Sequence, residues 1–146
     1  MHGAEVHTGT ELEPLAYTLY TDKSELFVEF KPLIVGETTK FAAHFTQLGE
    51  TFKAVTEGSV TVSLIGNGTQ LTDKAEAPSS PGIFRLALNP ENPGTYQLVF
   101  DVHTKEFSDK ITIANITVYP DTQTALTNQQ DQTIGEEVVY LKEQAW

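Results

Sequence analysis

Hydrophobic and polar residues alternate with a period of two along much of this chain. Between residues 78 and 102 two such runs follow each other, and their apolar faces consist of Phe84, Leu86 and Leu88 in the first, and of Tyr96, Leu98, Phe100 and Val102 in the second. Period-two alternation is typical of a half-buried β-strand. The segment 89–94 between them contains two prolines, which donate no backbone N–H and fix φ, so it ends both strands.

The step Gly94-Thr95-Tyr96 begins the second of these strands. It resembles the tyrosine corner of immunoglobulin-like sandwiches, in which a tyrosine hydroxyl bonds back to the backbone of the corner. The alternative is a core tyrosine in an ordinary hairpin.

Five further strands are predicted, over residues 17–20, 25–31, 39–48, 59–65 and 109–119. In the second of them Phe27 is an aromatic residue on the polar side. The last strand changes phase near Ala114-Asn115, which indicates one extra residue, a β-bulge, or else a strand buried on both faces. Gly66-Asn67-Gly68 predicts a reverse turn.

Two segments are predicted to lack regular structure. The loop 49–58 carries Phe52 and Val55, which we expect to cap one end of the core, and residues 71–80 read as an irregular crossing from one sheet to the other. With about seven strands and no convincing long helix, the chain is predicted to be all-β, an immunoglobulin-like antiparallel β-sandwich. A jelly roll or a small barrel is the alternative.

The pattern divides the chain into three parts. Residues 1–14 are polar and are expected to form a flexible N-terminal arm, and residues 15–120 form the sandwich domain. Residues 121–135 are rich in Thr, Gln, Asn and Asp and read as a polar linker. The apolar run at 136–146 is read as the truncated start of a following domain.

Composition narrows the possible functions. A chain of 146 residues is long enough to fold as one domain without a metal or disulfide, and it contains no cysteine. The net charge of −11 repels phosphate backbones, so nucleic-acid binding is not expected. No apolar run reaches the roughly 20 residues of a membrane span. No signal peptide is recognised, which fits a cytoplasmic protein or a mature form whose leader was removed.

Catalytic motifs are not evident, and we predict no enzyme and no cofactor. No serine lies in a Gly-x-Ser-x-Gly turn, and the Gly66–Gly68 turn lacks the lysine of a phosphate-binding loop. The candidate metal ligands are histidines with nearby carboxylates, which could hold divalent or monovalent heavy-metal ions weakly. They are His44 and His103, helped by Asp101 if their strands are neighbours, and His2 and His7 in the N-terminal arm. The alternative is unrelated surface histidines and a solvated tail.

Several runs together resemble one family: ELFVEFKPLIVGETTKFAAHFT at 25–46, SVTVSLI at 59–65, APSSPGIFRLAL at 77–88, GTYQLVFDV at 94–102 and VVYLKEQAW at 138–146. The family is the periplasmic adaptor subunits (membrane fusion proteins) of heavy-metal RND efflux pumps, of the Bacteroidetes type, and the resemblance is to their N-terminal region. Its most specific element, YLKEQAW, leads in that family from an extra N-terminal domain into the adaptor body. The family's methionine metal ligands have no counterpart here, because Met1 is the only methionine.

The resemblance implies an exported, periplasmic protein in a tripartite assembly that expels metal cations. Its partners would be the other domains of the same adaptor, the inner-membrane pump and the outer-membrane channel. The expected role is a non-catalytic interaction or spacer domain. Two alternatives stay open: a metal-binding domain that collects cations through histidines and carboxylates, and an unrelated extracellular immunoglobulin-like module that binds ligands such as carbohydrate on exposed aromatics around Phe27.

Overall fold

The computed structural model describes residues 11–130, and they form a two-layer β-sandwich. Its ten strands are β1 Leu15–Tyr20, β2 Ser24–Phe30, β3 Leu33–Ile34, β4 Thr39–Gln47, β5 Lys53–Ala54, β6 Ser59–Gly66, β7 Thr69–Ala75, β8 Ile83–Leu88, β9 Gly94–His103 and β10 Ser108–Tyr119. A short helix, α1, runs over residues 122–130. The predictions for residues 1–10 and 131–146, which include the family-like run YLKEQAW, lie outside the described residues.

The strands divide into two sheets of five. The front sheet has the order β1-β2-β4-β5, with β8 also pairing with β4, and the back sheet has the order β3-β10-β9-β6-β7. Every pairing is antiparallel except that of β3 with the end of β10. After Pro32 the chain thus crosses from the front sheet to the back one. The fold is an all-β, immunoglobulin-like sandwich, as predicted.

The core lies between the sheets and is built from the inward-facing residues of both. Its largest fully buried side chains are Phe41, Phe45, Phe84 and Phe100. Phe41 and Phe100 meet edge to face across the two sheets, with ring centroids 6.3 Å apart. Aromatic pairs of this geometry add about 0.5–1.5 kcal/mol to the gain from buried area.

The tyrosine corner is confirmed. β8 and β9 lie in different sheets, so they do not form a hairpin. The hydroxyl of Tyr96, a residue that is 5% exposed, donates to the backbone carbonyl of Asn92 at 2.8 Å. Gly94 has φ of +143°, and a Cβ there would lie 2.5 Å from Nδ2 of Asn67, so the corner requires glycine.

The bulge in β10 is confirmed as well. Its register with β9 shifts between Ile113 and Ile116, and Asn115 has φ of +60°. The shift returns Ile116 and Val118 to the core face after Ile111 and Ile113, and all four side chains are buried.

Three predictions about irregular segments were wrong in part. Residues 69–75 form β7, which pairs with β6 through a turn in which Asn67 and Gly68 both have positive φ, so the crossing between sheets is confined to residues 76–82. Val55 is buried as expected, whereas Phe52 is 75% exposed and caps nothing. The described residues form ten strands rather than the predicted seven or so, because β3 and β5 have only two residues each and most of β7 lies in a segment predicted to be irregular.

The predicted linker begins with helix α1. The Asp121 carboxylate accepts hydrogen bonds from the Thr124 N–H and hydroxyl, both at 2.7 Å, and so caps the first turn. Ala125 and Leu126 are buried against the sandwich. The Gln129 side chain then accepts a hydrogen bond from the Glu13 N–H at 2.8 Å, so the first and last described segments meet at one end of the domain.

Asp109 ties the two sheets together at the other end of β1 and β10. Its Oδ2 accepts hydrogen bonds from the hydroxyls of Thr21, at 2.5 Å, and Ser24, at 2.6 Å, in the turn between β1 and β2. Burial by itself would raise the pKa of Asp109, but the hydrogen bonds from Ser24, Thr21 and the Lys110 N–H, with the charge of Lys23, hold this pKa below its ordinary value. The Ser24 side chain is fully buried, and its hydroxyl donates to this carboxylate.

Candidate protein-interaction surface

The predicted histidine pair does not form. His44 lies on β4 in the front sheet and His103 on β9 in the back sheet, so the two imidazoles belong to opposite layers of the sandwich. Strand alternation correctly predicts that both side chains face outward, but it does not indicate which sheet a strand joins. Asp101 is near His103 on β9, and the His103 Nδ1 is 2.9 Å from the Ser108 hydroxyl. His2 and His7 lie outside the described residues.

No group of three or more His, Asp or Glu side chains with the geometry of a metal site occurs between residues 11 and 130. The structure therefore gives no support to a joint site made by His44, His103 and Asp101. Each histidine has a structural setting of its own instead. His44 packs over Gly82, where an added Cβ would lie 2.7 Å from the imidazole Cδ2.

Exposed apolar side chains are concentrated on one sheet. Among the described residues the large hydrophobic side chains classed as exposed are Tyr20 at 65%, Phe27 at 36% and Phe52 at 75%. Tyr20 and Phe27 project from β1 and β2 of the front sheet, and Phe52 directly precedes β5 at its margin. We call the outward surface of the front sheet the front face.

The strand register arranges the front face in rows. The central row is Thr18, Phe27, His44 and Ile83, which pair successively across β1, β2, β4 and β8. The row on one side is Ala16, Glu29, Ala42 and Arg85, and the row on the other is Tyr20, Glu25, Thr46 and Ala54. Phe27 thus lies in the middle of the face between Thr18 and His44. The charged residues Glu25 and Glu29 flank it on its own strand, and the small residues Ala16 and Ala42 lie diagonally opposite it.

Tyr20 lies at the border of this surface, directly across from Glu25. A hydrogen bond to the Glu25 carboxylate, together with the negative charge of Glu25, raises the pKa of the Tyr20 hydroxyl. Because Tyr20 and Phe27 are diagonal neighbours on adjacent strands, their Cα atoms are about 7–8 Å apart in the usual sheet geometry. The two rings therefore belong to one continuous patch.

A shallow depression of about 430 Å³ adjoins the central row. Its lining includes the small residues Ala42 and Ala87 and four charged residues, Glu29, Lys40, Asp73 and Arg85. A partner could therefore meet both apolar surface and charges of both signs here.

The outward surface of the back sheet has a different character. Its central rows consist of Thr112, Val99, Ser63 and Thr72, and of Gln97, Ile65 and Gln70. Val99 is only 8% exposed and Ser63 only 6%. This surface presents hydroxyl and amide groups, and none of the described large hydrophobic residues classed as exposed lies on it.

Of the exposed large hydrophobic residues on the front face, sequence reasoning identifies only Phe27 as facing outward. It also identifies the polar neighbour His44 as facing outward. The signal for Tyr20 is present, because Leu15, Tyr17 and Leu19 alternate with Ala16, Thr18 and Tyr20, but the predicted strand begins only at Tyr17. The neighbours of Phe27 depend on register, which the sequence of one strand does not contain.

Within residues 11–130 there is no helix with the length and apolar character needed to cross a membrane. Comparisons of this chain with protein-family models, curated proteins and solved structures found no match.

Proposed function

We propose that this chain is a non-catalytic interaction and spacer domain of the periplasmic adaptor of a tripartite heavy-metal efflux pump, and that its front face contacts another domain of the same adaptor. The parent system is proposed from the sequence runs that resemble that family. One structural observation carries the interaction role: the exposed large hydrophobic side chains of the described residues all lie on or beside the front face.

The composition of the front face suits a protein partner. Protein interfaces combine a dry centre, enriched in aromatic residues, with a polar rim, and a few central aromatic anchors contribute most of the affinity. Phe27 occupies the central position here, and Ile83 extends its row. Glu29, Lys40 and Arg85 supply the charged border.

The spacer role is supported by the way the domain is held together. The Asp109 hydrogen bonds join the sheets at one end of β10, and Glu13 and Gln129 bring the first and last described segments together at the other. A domain connected through one end moves as a unit about that end, so its front face can be presented to a neighbouring domain without rearrangement of the sandwich.

A matched pair of charge substitutions in the full-length adaptor tests this proposal. Phe27→Glu places a carboxylate at the centre of the front face, and Gln97→Glu places the same group on the outward surface of the back sheet. Both positions are exposed, so both variants should fold. We expect Phe27→Glu to reduce growth on heavy-metal salts and Gln97→Glu to leave it unchanged.

Equal growth of the two variants, with the adaptor present at normal levels, would contradict a contact through the front face. Equal loss of growth would also contradict it, because the effect would then follow the added charge and not its position. Circular dichroism of the purified 146-residue variants shows whether both remain folded.

One observation favours a second candidate, a ligand-binding module. Tyr20 and Phe27 share the front face, which is the arrangement expected of an aromatic platform for the apolar faces of sugars. An NMR titration of the 146-residue chain with oligosaccharides distinguishes the candidates. Saturable shifts at residues neighbouring Tyr20 and Phe27 would support the module, and the adaptor proposal predicts none.

A further inference from the structure

Among residues 11–130, β1 forms one edge of the front sheet and pairs only with β2. The Thr21 N–H donates to the Ser24 carbonyl at 2.9 Å, so this residue pair is a hydrogen-bonded one. Hydrogen-bonded and non-hydrogen-bonded pairs alternate along an antiparallel ladder. The backbone N–H and C=O groups of Ala16, Thr18 and Tyr20 therefore point away from β2, and they have no backbone partner within residues 11–130.

The other edges of the two sheets each carry a feature that blocks the addition of a strand. The outer edge of β10 is interrupted by the bulge between Ile113 and Ile116, where Asn115 has φ of +60°. On β8, the Ala87 N–H donates to the Asp73 carboxylate of β7 at 2.9 Å, and β7 packs along β8. β3 and β5 have only two residues each.

β1 has none of these features. Its sequence, LAYTLY, contains no charged residue, no proline and no glycine, and it pairs with β2 without a register shift. Three of its six residues, Tyr17, Thr18 and Tyr20, are of types enriched in strands. An uncharged, regular edge strand is a template for pairing with another strand.

The strand is also complementary to itself. If a two-fold axis passes beside Thr18, an antiparallel copy places Thr18 opposite Thr18 of the second copy. Ala16 then lies opposite Tyr20 of the second copy, a small residue against a large one, and Tyr17 lies opposite Leu19 of the second copy. Paired threonines and paired aromatic and aliphatic residues are favourable across strands, and no like charges meet within this pairing.

We propose that two copies of this chain associate through β1, edge to edge and antiparallel, about a two-fold axis at Thr18. Five front-sheet strands from each copy would then form one continuous ten-stranded sheet. A closed two-fold interface of this kind uses the same strand on both copies. This goes beyond the proposed function, which concerns the front face and not the edge of its sheet.

Charge substitutions at Thr18 test the proposal in the full 146-residue chain. The Thr18 side chain is exposed, so Thr18→Lys and Thr18→Glu should both fold. Analytical ultracentrifugation should show a dimer for the wild type. It should show a dissociation constant larger by about tenfold or more for each variant alone, because like charges then face each other across the axis. An equimolar mixture of the two variants should restore the dimer.

Thr112→Lys, on the exposed side of β10 in the back sheet, is the matched control and should dimerise like the wild type. Three results would overturn the proposal: a wild-type chain that stays monomeric up to its solubility limit, Thr18 variants that dimerise as well as the wild type, and a mixture that fails to restore the dimer. The first would leave β1 as an edge for a strand of a different partner.

Disulfide trapping tests the register independently, since the chain contains no cysteine. Cα atoms in a hydrogen-bonded antiparallel pair are about 5.5 Å apart, within the range that a disulfide spans. Under mild oxidation Thr18→Cys should form a covalent dimer, whereas Thr112→Cys should not. Equal yields from the two variants would contradict the assigned register.

Discussion

The charge of Asp109 is predicted to contribute strongly to the stability of the contact between the two sheets. Its Oδ2 accepts two hydroxyl hydrogen bonds, from Thr21 and from the fully buried Ser24. Hydrogen bonds to a charged group contribute about 1.5–3 kcal/mol each when buried. Because Asp109 itself is only half-buried, solvent weakens them, and we expect Asp109→Ala to lower the free energy of unfolding by about 2–3 kcal/mol.

Asp109→Asn separates the charge from the shape of the side chain. The amide oxygen can still accept both hydroxyls, but neutral hydrogen bonds are about half as strong as charge-assisted ones, so we expect a loss of about 1 kcal/mol. Asp101→Asn on β9 is the matched control, because the Asp101 side chain makes no hydrogen bond or ion pair with the described residues. It should change stability by less than about 0.5 kcal/mol.

The difference between wild type and Asp109→Asn should depend on pH. The folded-state pKa of Asp109 is lowered, so the carboxylate adds stability above its unfolded pKa of about 3.9, and this stability is lost as the pH falls through the folded-state pKa. Urea unfolding followed by circular dichroism at neutral and at acidic pH measures both effects. A difference between the two proteins that stayed constant or grew on acidification would refute the assignment.

Three further predictions concern the frame that holds the front face, and the same urea assay at neutral pH measures each of them. Tyr96→Phe removes the hydrogen bond from the hydroxyl to the Asn92 carbonyl and should lower the free energy of unfolding by about 1 kcal/mol, with unchanged secondary structure. An unchanged free energy of unfolding would show that this bond does not contribute to stability. Gly58→Ala should lower the free energy of unfolding more than Gly36→Ala does. Both glycines have positive φ, but a Cβ at Gly58 would collide with the His103 carbonyl oxygen, whereas a Cβ at Gly36 would meet nothing within 4 Å. Equal losses would contradict this close approach of the two backbones. Val55→Ala should lower the free energy of unfolding by about 2 kcal/mol, and Phe52→Ala, at a 75% exposed position, by less than about 0.5 kcal/mol. A larger loss for Phe52→Ala than for Val55→Ala would show that Phe52 does cap the core.

Much of the sandwich could be predicted from the sequence because alternation is strong where one face is buried. The strands carrying Phe41, Phe84 and Phe100 follow this rule. β7 escapes prediction because Leu71 is the one large apolar side chain on its inner face, and helix α1 escapes it because its packing depends on the adjacent pair Ala125 and Leu126 within a polar segment.

The candidate surface could be predicted only in part. Alternation shows that Phe27 faces outward, but only strand order places Thr18, His44 and Ile83 beside it. The same limit explains why the predicted pair of His44 and His103 does not form. Two outward side chains on different strands can lie on the same sheet or on opposite sheets, and the sequence does not distinguish the two cases. The role of Asp109 depends on the contact of β10 with the turn between β1 and β2, a link of 85 residues or more along the chain.

The proposed function depends above all on contact between the front face and another domain of the same adaptor. Site-specific photo-cross-linking in the full-length adaptor, in cells, detects this contact, with the photoreactive residue at Phe27 and a control at Gln97 on the back sheet. We predict that the Phe27 probe cross-links to another domain of the adaptor, identified by mass spectrometry, and that the Gln97 probe does not. Cross-links from Gln97 alone, or none from Phe27 in an assembled and functional pump, would contradict the proposed contact.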